Sequence, residues 1–390
     1  MMLPPPSTQD LTTQPIAFHR PWLGPEEVEA VVEAVRAGHL TGNGPICRMV
    51  EEELRRRLGV AHVLLTPSCT SAMELAYLAL GIGPGADVLL PSFTFVSCAT
   101  AVVRSGARPV FIDIDPLTLM LDLEKVQRAL TPQSRAILGV HYGGFPCDIE
   151  GLLALAKRSN VQVIEDAAQA FGSSWRSHPL GTLGDVGCLS FHGTKNVTCG
   201  EGGALITHDD AVAQRALLIR EKGTNREAFL QQEVDRYAWV DTGGSFVLSD
   251  LLAAVLLAQL RRMEAIARAR QAIAHRYLEA LQPLSEAGRL RLPVVQDPHS
   301  VNWHLFYLLL PTRVERDEVL RGLREAGIEA SFHFVPLHSS PYAQRQYGYR
   351  PTDLPVTEEI AQRLVRLPIY PNLTPEEQER IITVLRHVVR

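Results

Sequence analysis

The six cysteines, Cys47, Cys69, Cys98, Cys147, Cys188 and Cys199, include no C-x-x-C pair. That absence removes the usual structural-zinc spacing, and in a chain of 390 residues scattered thiols fit a reducing compartment better than a disulfide frame. No apolar run approaches the ~20 residues a membrane-spanning helix requires. The N-terminal M-M-L-P-P-P-S-T-Q-D shows no charged segment leading into an apolar one. The expectation is a soluble, cytoplasmic protein with no metal centre. Basic charge is also short: 38 Lys and Arg against 43 Asp and Glu leave a net charge of -5, so no positive field invites nucleic acid or an anionic membrane. No internal repeat or low-complexity tract is present. The one glycine cluster that imitates a dinucleotide fingerprint, Gly81 to Gly85, follows a helical pattern and precedes a strand, which is the wrong order and marks a turn.

At 46% hydrophobic residues, the chain can bury one large core and a smaller one. Residues 1–20, rich in proline and polar residues, read as a loosely held arm. Pro25 and the glutamates after it open a helix with apolar positions Val28, Val31, Val32 and Val35, closed by Gly38. From 60 to 206 short apolar strands alternate with amphipathic helices, at 61–65, 87–90, 109–114, 136–140, 161–165, 186–191 and 203–207. This rhythm predicts an α/β fold, a mostly parallel doubly wound sheet with helices on both faces. One long helical region over 248–281 bridges to a smaller α/β domain. There a strand in W-H-L-F-Y-L-L-L, a helix over 316–326, a second strand around His333 and helices at 356–366 and 375–388 are expected. The implied boundaries are an arm at 1–20, a large domain at 21–260 and a C-terminal domain at 261–390.

The chemistry collects at strand ends. Val186 to Phe191 deliver a polar turn that carries Lys195 and meets glycines at 200, 202 and 203. A lysine walled by Phe191 and close backbone loses solvent, its pKa falls, and the neutral amine can trap a carbonyl. Val161 to Gln169 form a strand ending in Glu165 and Asp166, and a carboxylate there enters the crevice at the carboxyl end of a parallel sheet. Asp166 and Glu165 face opposite sides of that strand. Further upstream, L-L-T-P-S-C-T-S-A-M-E-L-A turns from strand to helix through small and hydroxylated residues, leaving backbone N–H groups free for a phosphate.

In their order and wording, L-L-T-P-S-C-T, P-S-F-T-F-V-S, V-H-Y-G-G, E-D-A-A-Q, S-F-H-G-T-K-N, G-E-G-G-A, I-R-E-K-G-T-N-R and P-L-H resemble the DegT/DnrJ/EryC1/StrS family of sugar aminotransferases. The likeness runs from about Trp22 to the C-terminus and is nearest to members that make dTDP-4-amino-4,6-dideoxygalactose. It implies the fold-type I architecture of pyridoxal 5'-phosphate (PLP) transferases, similar to aspartate aminotransferase, and PLP as cofactor with pyridoxamine phosphate (PMP) as its amine form. Lys195 would bond the cofactor, Asp166 would face its ring nitrogen, Gln169 its hydroxyl and Phe95 its ring plane. Ser190, Cys69 and Thr70 would hold its phosphate. Ser245 stands where the family commonly has an asparagine that reaches the phosphate in the partner subunit, so a homodimer with shared sites is implied. Thr41, His141, Tyr142, Arg220, Lys222, Arg226 and His338 are the substrate-side candidates. The implied partners are L-glutamate and a dTDP-linked keto sugar, dTDP-4-keto-6-deoxyglucose, aminated at C4. Amination at C3, or at C4 with the opposite stereochemistry, keeps the same chemistry, and a non-catalytic regulatory protein is the third reading.

Overall fold

The computed structural model describes residues 14–295 and 301–389. Seven strands make the central sheet: β1 (His62–Thr66), β2 (Asp87–Pro91), β3 (Arg108–Ile112), β4 (Ser134–Val140), β5 (Gln162–Asp166), β6 (Val186–Ser190) and β7 (Gly203–Thr207). Their spatial order is β1-β7-β6-β5-β4-β2-β3. β3, β2, β4, β5 and β6 run parallel, while β7 is antiparallel to both β1 and β6. The strands are buried nearly throughout, as continuous Val, Leu and Ile runs with helices on both faces require. Helices Cys69–Ala79, Val96–Arg104, Leu123–Ala129 and Ile149–Ser159 make the crossovers.

The expected strands agree with these within a few residues. Elsewhere the structure departs from the sequence reading. The 248–281 region is two helices, Asp250–Arg261 and Met263–Glu286, because Arg262 at φ -103° and ψ 1° leaves the helical backbone. The smaller sheet is an antiparallel pair, β8 (Phe306–Leu309) and β9 (Leu364–Leu367), instead of a βαβ unit. Residues 364–366, expected to end a helix, are strand, and the segment around His333 contributes only an isolated bridge from Ser331 to Arg366. Of the supposed loose arm, residues 1–13 lie outside the described residues. Residues 14–20 are held: Ile16 exchanges backbone hydrogen bonds with Gly327 and Glu329, and the Phe18 N–H donates to the Glu329 carboxylate at 2.8 Å.

Helix Pro25–Ala37 reverses the expected amphipathicity. Val28 and Val35 are 64% and 54% exposed, whereas Glu27 is buried and receives Arg262 Nη1 at 2.9 Å and Gln259 Nε2 at 2.7 Å. A buried, paired acid thus anchors the helix to Asp250–Arg261, and the valine face points outward with Leu23, Val32, Leu40 and Met49.

Candidate active site

A cavity of about 440 Å³ opens at the carboxyl ends of β4, β5 and β6, between the large sheet and the small one. It gathers Cys69, Thr70, Phe95, Asp166, Gln169, Ser190 and Lys195 from four separate segments.

One wall is the start of helix Cys69–Ala79. Ser68 caps it by accepting the Ser71 N–H at 3.1 Å, so the N–H groups of Cys69 and Thr70 keep no partner within the helix. Thr70 Oγ1 donates to Ser97 Oγ at 2.8 Å, which lines the same wall with a second hydroxyl. Gly203 pairs with Thr66 on one side and Ser190 on the other, directly behind the turn. A Cβ on Gly203 would stand 2.4 Å from the Ser68 carbonyl carbon and 2.5 Å from the Cys69 nitrogen. The G-E-G-G phrase therefore has a steric meaning: the sheet approaches this turn too closely for any side chain. Free N–H groups at a helix start with hydroxyls around them fit a phosphate dianion.

Asp166 ends β5 facing the cavity. Its carboxylate accepts the Ala168 N–H at 2.9 Å and the Cys98 thiol at 3.0 Å. Glu165 goes to the opposite side, fully buried, and accepts four donors: the N–H groups of Gly181 (2.9 Å), Leu183 (2.7 Å) and Gly184 (2.6 Å), and His141 Nε2 (2.8 Å). Burial alone would raise the Glu165 pKa, but the His141 hydrogen bond and these backbone donors hold it below the ordinary carboxylate value.

Lys195 sits in the turn after β6, which is closed by its own N–H donating to His192 O at 2.8 Å. Burial of its amine lowers the pKa from the usual lysine value; Asp166 and the thiols of Cys69 and Cys98 oppose the shift, and Arg366 reinforces it. The lowered pKa raises the share of the neutral, nucleophilic amine above that of an ordinary lysine, in the same cavity as a fixed carboxylate. These donors, this carboxylate and this amine fit PLP.

Gln169 lines the cavity while its Oε1 accepts the Gly143 N–H at 2.7 Å. Phe95 is 58% exposed on the cavity rim, whereas Phe93 is buried between Tyr142 and Phe334.

Several expected substrate residues need correction. His141 is fully buried behind the sheet, where its Nδ1 accepts the Cys147 N–H at 3.2 Å and its Nε2 donates to Glu165, so it serves the core. Tyr142 stands one layer behind the cavity, its hydroxyl 3.2 Å from His333 Nδ1. His338 is buried against Ser92 at 2.7 Å; the histidine of F-H-F-V-P-L-H that reaches the cavity is His333. Arg220 is buried outside this cavity, with Nη1 donating to Glu51 at 2.7 Å and Nη2 to Asn43 at 3.1 Å, and so is not exposed to a diphosphate.

Thr41, Lys222, Arg226 and Ser245 lie outside this cavity and belong to a second cluster. Ser245 bridges to Glu221, the Lys222 N–H donates to Gly244 O, and Gly42 bridges to Ser249. Lys222 and Arg226 are exposed, each about 3.7–3.8 Å from the buried Glu221 carboxylate.

The structure also brings in residues the sequence did not reveal: Phe18, His19, Cys98, His304, His333 and Arg366. His19 Nε2 lies 3.0 Å from Gly193 O, and His304 Nδ1 is 3.1 Å from Asn196 Oδ1. Asn302 fixes this side by donating to the carbonyls of Gln169 and Phe171 at 3.0 and 2.9 Å. Buried Arg270 donates to the carbonyls of Trp303 and His304 at 3.0 and 2.6 Å, holding Trp303 at a left-handed φ of 51°. Burial keeps the pKa of His304 well below the usual histidine value, and that of His333 is pushed down to about 2, so both are neutral.

No helix among the described residues is long and apolar enough to cross a membrane. The sequence profile of the DegT/DnrJ/EryC1/StrS aminotransferase family matches residues 21–386. The spore coat polysaccharide biosynthesis protein SpsC of Bacillus subtilis is 35% identical over 382 residues, 96% of this chain and 97% of that one. The aminotransferase TlmJ from Streptoalloteichus hindustanus superimposes with a TM-score of 0.88 at 32% identity, covering 96% of this chain and 98% of its own. Spr1654 from Streptococcus pneumoniae, solved in its PMP form, gives a TM-score of 0.89 at 25% identity, with 96% of this chain and 99% of that one covered. The chain belongs to the DegT/DnrJ/EryC1/StrS aminotransferase family, fold-type I enzymes that use PLP to aminate sugars.

Proposed function

We propose that the enzyme moves an amino group from L-glutamate to C4 of dTDP-4-keto-6-deoxyglucose, giving dTDP-4-amino-4,6-dideoxygalactose. The observation that carries the transamination chemistry is the lowered pKa of Lys195 in one cavity with Asp166 and an open helix start. The particular sugar is supported by the likeness of the eight sequence phrases, taken together, to members that make it.

When bound, PLP supplies an aldehyde and an electron-withdrawing ring. Asp166 would face the ring nitrogen and favour its protonated form, with the Ala168 N–H and Cys98 thiol fixing the carboxylate. Cys69, Thr70 and Ser190 would hold the phosphate, Gln169 the ring hydroxyl and Phe95 the ring face. Lys195 would bond the aldehyde carbon. Displaced by the donor amine, its free amine would carry a proton from the donor α-carbon and return one on the sugar side.

The second cluster supports a homodimer with shared sites. Ser245, Thr41, Lys222 and Arg226 are at the surface and away from their own cavity, and the exposed valine face of Pro25–Ala37 offers apolar area for a second copy. In such a pair Ser245 would reach the partner's phosphate site. A large domain at 21–260 and a small one at 261–390 frame the cavity in this reading.

The test mixes holoenzyme and L-glutamate with dTDP-4-keto-6-deoxyglucose and identifies the product by mass and NMR. An axial 4-amine is expected. An equatorial 4-amine, a 3-amine or no amination would overturn the assignment.

A further inference from the structure

Asn196 directly follows Lys195, and both ends of its side-chain amide are taken. Its Nδ2 donates to Asn302 O at 2.9 Å, and its Oδ1 lies 3.1 Å from His304 Nδ1. The carbonyl decides which end is which, because only the NH2 can face Asn302 O. Asn196 Oδ1 is therefore an acceptor, and the proton of the neutral His304 ring sits on Nδ1. The other ring nitrogen, Nε2, keeps its lone pair and has no hydrogen-bond partner among the described residues.

The short segment that carries this ring is firmly held. Asn302 donates its N–H to Ser173 Oγ at 2.9 Å and accepts the His304 N–H on Oδ1 at 3.0 Å. Its Nδ2 is bonded to the carbonyls of Gln169 and Phe171, and Arg270 of helix Met263–Glu286 holds the carbonyls of Trp303 and His304. Between them Trp303 stays left-handed at φ 51°. A backbone kept in a sparsely populated region by its surroundings points to a function for what it places. What it places is His304, in the same cavity wall as Lys195, whose charge acts on the ring more strongly than any other. The Lys195 amine likewise has no hydrogen-bond partner among the described residues.

An unused acceptor beside an unused donor has a chemical use. When Lys195 takes up a proton its amine becomes an ammonium, and a hydrogen bond from it to Nε2 becomes charge-assisted. A carboxylate in that place would stabilise the ammonium more strongly and oppose release of the proton. A neutral imidazole opposes it less, and because burial depresses its basicity it leaves the proton on Lys195. We propose that Asn196 fixes His304 as its Nδ1–H tautomer, so that Nε2 remains a hydrogen-bond acceptor in the cavity and seats the free Lys195 amine between its two proton transfers. This rests on Lys195 carrying the proton in the proposed function. Asn196 is then a positioning residue, acting through His304.

The tautomer is read by solid-state 15N NMR of histidine-labelled apo-protein, with the His304 signals assigned by their loss in His304→Asn. Wild type is expected to show a protonated Nδ1 and a bare Nε2, unchanged across the range in which an ordinary histidine titrates. Asn196→Leu should lose that preference. The same proteins and His304→Gln are compared as holoenzymes in separated half-reactions followed by cofactor absorbance. L-Glutamate, against its α-deuterated form, drives the first, and dTDP-4-keto-6-deoxyglucose added to PMP-loaded enzyme drives the second. The His304→Asn amide can keep the bond to Asn196 but has no atom at the Nε2 position. It should slow both half-reactions about 10-fold, the loss of one charge-assisted hydrogen bond, and enlarge the deuterium effect in the first, with the melting temperature near wild type. His304→Gln, whose amide reaches the Nε2 position, should recover part of the rate. In apo-protein the pH midpoint for PLP capture should fall in His304→Asn, because the ammonium loses an acceptor. A proton on Nε2 in wild type, a tautomer unmoved in Asn196→Leu, or wild-type rates in His304→Asn would overturn the proposal. So would a loss confined to the sugar half-reaction, which would give the acceptor to a substrate hydroxyl. Wild-type enzyme that turns over glutamate but not this sugar would drop the substrate assignment and leave the acceptor standing.

Discussion

Gly203→Ala tests whether the phosphate-holding turn depends on contact with the sheet. The added Cβ would lie 2.4 Å from Ser68 C, 2.5 Å from Cys69 N and 2.6 Å from Ser68 O, whereas ordinary contact starts near 3.4 Å. The turn or β7 must therefore retreat by about 1 Å, and neither moves freely, because Gly203 is paired with both Thr66 and Ser190. Overpacking of this kind costs about 1–3 kcal/mol of stability. The functional loss adds to that. Displacing the Cys69 N–H from a phosphate removes a hydrogen bond to a charged group, about 1.5–3 kcal/mol or roughly 10- to 100-fold in affinity. Titration of apo-protein with PLP and with pyridoxal, which lacks the phosphate, separates the two effects. PLP binding should weaken about 10- to 100-fold and pyridoxal binding far less. Gly200→Ala is the comparison, since nothing lies within 4 Å of a Cβ there and only its φ of +89° is strained. Equal weakening of both ligands, or wild-type PLP affinity with an unchanged melting temperature, would refute the reasoning.

Glu165→Gln should destabilise the fold by about 3–5 kcal/mol in urea unfolding at neutral pH, because an amide NH2 on either side would face two donors. The native carboxylate has its pKa held below 4.5, so its stabilisation is complete above about pH 4.5 and is lost as pH falls through the folded value; the variant should lack that acid-side slope. Capture of PLP by apo-protein should rise with pH with a midpoint below 10.5, and Arg366→Met should move the midpoint upward by removing a neighbouring positive charge. A midpoint at or above 10.5 in the native protein would contradict the desolvated amine. Val28→Glu with Val35→Glu should leave the monomer folded, both sites being exposed, and should convert a sedimenting dimer to monomer.

Periodicity located the central sheet because its strands are buried on both faces and separated by amphipathic helices, so apolar runs and strands coincide. The strand-end positions of Asp166 and Lys195 follow from that frame. The smaller sheet was hidden. L-V-R-L continues the spacing of helix Pro355–Arg363, and only pairing with Phe306–Leu309 makes it a strand. Arg366 consequently reads as one more surface arginine until the small sheet aims it inward. His141 shows the opposite error, a polar residue at a strand end that looks available, yet is consumed by Glu165 and the Cys147 N–H. For His333 and His338 the sequence offered two histidines in one phrase; the distinction lies in Ser92, distant in sequence, which captures His338. Phe18 and His19 were obscured because an arm gains structure only from what it docks against, here Gly327, Glu329 and Gly193. Helix Pro25–Ala37 departs from its apolar pattern because Glu27, one of its two buried residues with Ala34, is an acid paired with Arg262, which leaves Val28, Val32 and Val35 exposed.

The central claim is that Lys195 is the amine that holds PLP. Borohydride reduction of holoenzyme, followed by digestion and mass spectrometry, tests it directly. The cofactor mass is predicted on the peptide containing Lys195 and absent from Lys195→Ala, whereas a label on Lys125 or Lys222, or one that survives in Lys195→Ala, would contradict the account.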